Sequence, residues 1–233
     1  MKFTIDKRLF DLFPGLSVGT LVCQIDNTKY GEDLLDSVLE RLRTSFSYEK
    51  PQDHPHIKVW RQAFTKVGIS ASKYPSSIES LLRRALKGGP FPRVNPIVDL
   101  YNAFSLEYLV PVGGHDLAPL EEEIFLGFAE GGEPFTPMDG GDQETAEKDE
   151  IIYKDAKDVL TRRWVWRQSN KDKVTSHTKY LFMPIDIMES VDVALCHEIM
   201  ERIDSRLARD GIGSVIRKDV VTASHLSTEF HVG

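Results

Sequence analysis

Cysteine is scarce. Cys23 and Cys196 are the only two in 233 residues, which excludes a disulfide-dense scaffold and reads as buried thiols in a reducing compartment. Long apolar runs are missing as well. No stretch approaches the roughly 20 residues of a membrane span, and "MKFTIDKRLFDLFPG" at the N-terminus has no apolar signal-peptide core. The expectation is a soluble, cytoplasmic protein with no membrane partner. Positive charge is in deficit: 29 Lys and Arg stand against 36 Asp and Glu, a net −7. That excludes the global basic field expected of a DNA-binding protein and leaves room only for a small basic patch. The common chemical signatures are also absent: no Gly-rich phosphate loop, no G-x-S-x-G elbow, no H-E-x-x-H. His54-Pro-His56 is the only close histidine pair. Two ligands rarely suffice for a metal, and a loop capping the next helix is the competing reading. No metal and no cofactor are expected.

What is present is patterned for helices first and strands later. "LSVGTLVCQI" (16–25) reads as a strand. Leu34, Leu35, Val38, Leu39 and Leu42 are spaced for a helix over 32–46, and Ile57, Trp60 and Phe64 for a second. Ser76-x-x-Glu79 has the form of a capping box before the apolar face Ile78, Leu81, Leu82 and Ala85, and Gly88-Gly89-Pro90 stops that helix. Asn95-Pro96 opens another helix, expected to run to Glu107. Residues 137–150 are acidic and read as a loop or hairpin excursion. "EIIYKD", "DVLTRRWVWRQ" and "TKYLFMPID" are strand candidates. In the second, Arg163 and Arg167 share one face with Val159, Thr161 and Val165. A long helix follows from about Glu189 to Arg209, then a strand, "SVIRKDVV", and a frayed tail after Ala223. The pattern predicts an α+β fold, a mixed sheet or sheets flanked by helices, in one domain of 233 residues.

The helix after Asn95 poses a chemical question, because it is apolar nearly all round yet carries Asp99 and Asn102. At about 100° per residue, Asp99 lies roughly 40° from Asn95 and Asn102 about 20° on the other side. Buried polar groups need partners, from the fold or from a ligand. A cap explains Asn95. Asp99 suits the positive end of the helix dipole. Asn102 in mid-helix has poor propensity and stays open between a structural network and a site. The run Arg162-Arg163-Trp164-Val165-Trp166-Arg167 offers guanidinium groups for a carboxylate or phosphate, with aromatic neighbours. It reads equally as a Trp-lined core face with a solvated Arg face. Cys196 reads as a structural thiol, and Arg83-Arg84 as solvated surface.

The stretch "SIESLLRRALKGGPFPRVNPIVDLYNAFSLEYLVPVGGHD" resembles the tRNA-editing module, the B-three/B-four domain, of the phenylalanyl-tRNA synthetase β subunit. The matching residues are Pro92, Val94, Asn95, Ile97, Val98, Asp99, Asn102, Leu106, Glu107, Pro111 and Asp116. "DVLTRRWVWRQSNKDKVTSHTKYLFMPID" is similar to the module's second part, with Thr178 at its Thr. The likeness covers a core of about residues 50–210 and is without the synthetase's catalytic and anticodon-binding parts, as in a free-standing relative. It departs at several pocket positions. The family Thr is Tyr101 here, the family His falls on Gly113 with His115 two residues on, the family Glu falls near Pro184, and the Gly-rich turn aligns with Trp164–Arg167.

The resemblance implies two intertwined subdomains around a cleft. It also implies hydrolysis of a wrongly esterified aminoacyl-tRNA, with tRNA contact limited to the acceptor end. Asn102, His115 and Asp99 would be catalytic. Tyr101, Glu107, Arg163, Trp166, Arg167 and Thr178 would bind the aminoacyl-tRNA 3′ end or a small amino-acid-like ligand. The alternative is a non-catalytic module for an amino acid or nucleotide-like molecule. The oligomeric state is not legible.

Overall fold

A computed structural model describes residues 1–189 and 191–233. The helices are α1 (Lys7–Leu12), α2 (Leu34–Ser45), α3 (Pro55–Lys66), α4 (Ser77–Leu86), α5 (Pro96–Tyr108) and α6 (Val193–Asp210). The early strands are β1 (Lys2–Ile5), β2 (Ser17–Ile25), β3 (His115–Asp116), β4 (Glu123–Phe128), β5 (Pro134–Phe135) and β6 (Glu144–Thr145). The later ones are β7 (Ile151–Lys154), β8 (Val159–Arg162), β9 (Arg167–Gln168), β10 (Tyr180–Ile187), β11 (Gly213–Val221) and β12 (Ser227–Glu229). One sheet runs β12-β1-β4-β7-β8-β9 and a second runs β11-β2-β10-β3. Among the described residues only β1 and β4 pair in parallel, so the first sheet is mixed. The fold is α+β, as the sequence predicts.

The two central strands of the four-stranded sheet, β2 and β10, are buried on both faces, which is why they read as nearly unbroken apolar runs. Leu21, Cys23, Leu181, Met183 and Ile185 face one core with α5 and α6. Val18, Val22 and Phe182, on the alternate positions, face the other core, which holds the six-stranded sheet and the α2–α4 helices. Phe3 stacks between the two sheets, 5.0 Å from Phe182 and 6.1 Å from Tyr153. Among the described residues no helix is long and apolar enough to cross a membrane.

Four local expectations are revised. First, "DVLTRRWVWRQ" is a hairpin and not one strand. Arg162 pairs with Arg167 across a turn of residues 163–166, so Arg163 and Arg167 do not share a strand face. Arg163 and Trp164 both take left-handed backbone, φ 46° and 64°, a conformation that side chains other than Gly, Asn or Asp rarely adopt. Second, the capping box is half formed. The Ser76 hydroxyl accepts from Glu79 N, but the Glu79 carboxylate turns to Arg61 at 2.8 Å and to Arg83. Third, the tail is not frayed: β12 pairs with β1, and Phe230 stacks on Phe182 at 5.9 Å. Fourth, α6 begins at Val193 because the Asp192 side chain caps Ala194 N. Ser190, inside the predicted start, lies outside the described residues.

Candidate functional site

Helix α5 is built as its sequence suggests. The Asn95 side-chain oxygen accepts from Val98 N at 3.0 Å, and its amide donates to the Val174 carbonyl at 3.1 Å. Both Asn95 interactions are structural. Asp99 and Asn102 then separate, because 60° of arc on a helix is enough to open them onto different sides. Asp99 accepts from Val94 N at 3.1 Å and lies 3.6 Å from the Arg93 guanidinium. It lines a shallow hollow of about 180 Å³ with Tyr30, Asp33 and Arg93, and burial raises its pKa. Asn102 lines a different cavity, of about 250 Å³. No described protein group bonds its amide, so the network reading of Asn102 is not what the structure contains.

That second cavity gathers Tyr101, Asn102, His115, Trp166 and Arg167, together with Tyr153, Trp164, Gln168, Pro184 and Asp186. His115 arrives on β3, opposite Phe182 of β10. Its ring is buried against Tyr153, 5.7 Å away, and Phe182, 6.1 Å away. Nδ1 donates to the fully buried carboxylate of Asp172. Gln168 steadies that carboxylate, donating to Asp172 Oδ2 at 3.1 Å and to the Gly114 carbonyl at 2.8 Å. With Nδ1 protonated toward a carboxylate, Nε2 carries the lone pair. Gly114 has no room for a side chain. A Cβ there would stand 2.8 Å from Tyr101 Cε1, so the glycine lets the Tyr101 ring form the wall.

Residues Gly113 and His115 are two apart on an extended segment and so share a face. A histidine displaced by two positions therefore still reaches the cavity. Pro184 and Asp186 share a face of β10 in the same way. The Tyr153 hydroxyl donates to Asp186 Oδ1 at 2.8 Å, and the Trp164 indole N–H donates to the same oxygen at 3.1 Å. Burial pushes the Asp186 carboxyl up to about 6, against those two donors and the nearby His115.

At the mouth, Trp166 packs edge-on against Tyr74 at 4.7 Å. Arg167 is paired with Asp139 at 2.6 Å and Glu144 at 2.9 Å. Arg167 is therefore no bare cation, and the acidic excursion of residues 137–150 neutralises it.

Three other expected site residues are placed elsewhere. Glu107 forms ion pairs with Arg41 at 2.9 Å and Arg202 at 3.2 Å on the outer side of α5. The Arg163 guanidinium sits 3.8 Å over the Tyr74 ring and pairs with Glu147 at 2.9 Å. The left-handed turn directs it there, away from the cavity lining. The Thr178 hydroxyl donates to Asp116 at 2.6 Å and accepts from Thr175 N at 2.9 Å, which pins a turn.

His54 caps the following helix, accepting from His56 N at 3.2 Å, and burial lowers its pKa to about 4. Burial pushes the Cys196 thiol up to about 12. Among the described residues no three His, Cys, Asp or Glu side chains are placed to hold a metal ion. Asp172 and Asp186 were not legible as site residues. Each is a single acid in a polar or apolar run, without a spacing signal.

No curated protein sequence matches the chain. Among solved structures, the chain is similar to an N-terminal fragment of the phenylalanyl-tRNA synthetase beta-subunit from Pyrococcus horikoshii, at 16% identity and a TM-score of 0.44. That match covers 91% of this chain and 49% of the other, so the chain spans about half of its length. The B3/4 domain family matches residues 59–211, a segment that contains Asn102, His115, Asp172 and Asp186. By that match, the chain belongs to the B3/4 domain family.

Proposed function

We propose that the cavity between α5, β3, β10 and the β8–β9 turn receives the acyl end of an aminoacyl-tRNA, or a related amino-acid ester, and hydrolyses it. The observation that carries this reading is the carboxylate–histidine pair Asp172–His115 on one cavity with the unpartnered amide of Asn102. Asp172 fixes the His115 tautomer. Nε2 takes the proton of a water as it attacks the ester carbonyl, the role of a general base. Asn102 supplies an N–H donor for the oxygen on which charge develops. Ester hydrolysis needs little beyond placement of these groups. Membership of the B3/4 family supports the editing-type assignment, on the resemblance set out from the sequence.

The cavity volume, about 250 Å³, suits an acyl group and leaves the nucleotide outside. The net charge of −7 and the neutralised Arg167 both favour a contact confined to the acceptor end. The test is deacylation of a panel of correctly charged and mischarged tRNAs by the wild type and by His115→Ala. Release above buffer that the variant lacks supports the proposal. Release no faster than buffer on every member removes it, and ligand binding without turnover would favour the non-catalytic module.

A further inference from the structure

Asp186 is 3% exposed and lines the cavity. Both of its hydrogen-bond donors, the Tyr153 hydroxyl and the Trp164 indole, converge on Oδ1. Among the described residues no donor reaches Oδ2, and no Lys, Arg or His forms an ion pair with this carboxylate. The other strongly buried carboxylates are treated differently. Glu79 has Arg61 and Arg83, Glu150 has Arg162, and Asp155 has Lys171. Asp172 has the His115 imidazole. With His115 neutral, Asp172 and Asp186 are the two in this group without a permanent cation, and of these Asp186 is the one that lines the cavity. A buried carboxylate is costly unless a cation or several donors compensate it. Among the described residues that line the cavity Arg167 is the one Lys or Arg, and it already carries two carboxylates of its own.

From this geometry we infer that Asp186 Oδ2 is the receptor for a cationic group, a primary ammonium or a guanidinium, on the molecule that enters the cavity. The positioning is consistent with one ligand spanning both features. His115 stands opposite Phe182, and Asp186 is four residues further along β10, about 13 Å at roughly 3.3 Å per residue. Between them the floor is flat: Gly113 presents no side chain and Pro184 a short ring, 3.7 Å from where a Cβ of Gly113 would stand. The spacing along β10 is between backbone positions; the side chains share a neighbour, since the Tyr153 ring lies 5.7 Å from the His115 ring and its hydroxyl donates to Asp186 Oδ1 at 2.8 Å. A ligand whose carbonyl lies near His115 can therefore direct a cationic group, its attached amine or the end of a basic side chain, toward Asp186. Both sources present the same chemistry to Oδ2.

This inference rests on the cavity being a ligand site and not on hydrolysis. Binding is accordingly read by calorimetry at neutral pH with non-reactive probes. Leucinamide carries only the α-ammonium, N-acetylargininamide only the side-chain cation, N-acetylleucinamide no charge, and N-acetyltyrosinamide a neutral hydroxyl. The expected result is that one or both cationic probes bind about tenfold or more tightly than N-acetylleucinamide, as one charge-assisted hydrogen bond provides. Which of the two does so identifies the source of the cation. In Asp186→Asn that preference should vanish, since Oδ1 can still accept from Tyr153 and Trp164 while an amide N–H₂ replaces Oδ2.

Equal affinity of charged and uncharged probes overturns the inference. So does a preference for N-acetyltyrosinamide, retention of the cation preference in Asp186→Asn, or no binding of either cation at millimolar concentration. The wild-type comparison decides the matter even if the variant fails to fold. A protein that binds the cations but deacylates nothing keeps this inference and loses the proposed hydrolysis. One that deacylates without regard to charge does the reverse.

Discussion

Replacing Asp186 by Asn should make the protein more stable at neutral pH and remove part of its pH dependence. The carboxyl titrates at about 6 in the folded chain against an ordinary 3.8. Between those values the folded chain holds a proton that the unfolded chain releases, so stability falls as pH rises through this window and is level above it. At about 1.36 kcal/mol per pH unit the full cost at neutral pH is about 3 kcal/mol. An asparagine keeps the acceptor for Tyr153 and Trp164 and has no proton to lose. The stability of the variant minus that of the wild type should therefore be near zero at about pH 4 and grow to about 1–3 kcal/mol above about pH 6. The lower end allows for an amide N–H₂ that must itself find a partner.

Urea unfolding followed by tryptophan fluorescence across about pH 4 to 8 reads this directly. Carboxylates whose pKa is lowered by cations, such as Glu150 beside Arg162 and Asp155 beside Lys171, lose stability on the acid side in both proteins and cancel in the difference. Parallel profiles, or a variant less stable at neutral pH, would refute the reasoning that this charge is buried without compensation.

Three further outcomes are expected. Asn102→Ala should lower deacylation by about 10²-fold, the typical effect of removing one oxyanion donor, with a melting temperature unchanged by calorimetry; a large drop in melting temperature would return Asn102 to a structural role. Asp172→Asn should lower kcat by about 10²-fold or more, because the amide no longer holds the His115 tautomer, and steady-state kinetics at saturating substrate checks it; an unaffected kcat would remove Asp172 from the proposed mechanism. Asp99→Asn should change deacylation by less than about twofold, since Asp99 faces the other hollow and touches no residue of the proposed mechanism; a loss comparable to that of Asn102→Ala would restore it to the site.

The elements that the sequence made legible are those with local punctuation. Asn95-Pro96 before an apolar run, and Ser76 before Ile78, mark α5 and α4 because caps and fixed φ act within a few residues. The β8–β9 hairpin escaped for the opposite reason. Its two left-handed positions carry Arg163 and Trp164, not the Gly or Asn that normally signals a turn, and tertiary packing holds them there. Trp164 lies 5.1 Å from Trp60 and 5.3 Å from Phe13, while Arg163 is stacked on Tyr74. That misread turn placed Arg163 in the expected site.

Strand β12 escaped because three residues seldom carry a pattern, and its support comes from β1 and Phe182 far away in sequence. In the site, Asn102 stood out as a polar group on an apolar helix, and His115 entered through the family resemblance, two residues from the matching position. Asp172 and Asp186 did neither, because their meaning lies entirely in which residues meet them across the fold.

The Trp164 indole belongs to two neighbourhoods at once. One edge donates to Asp186 at the wall of the cavity, and the rest of the ring wedges between α3 and the segment after α1. A guest that settles against this wall braces the seam between helices and sheet, so occupancy should raise heat resistance by simple mass action. The same ring gives such a guest an intrinsic optical reporter.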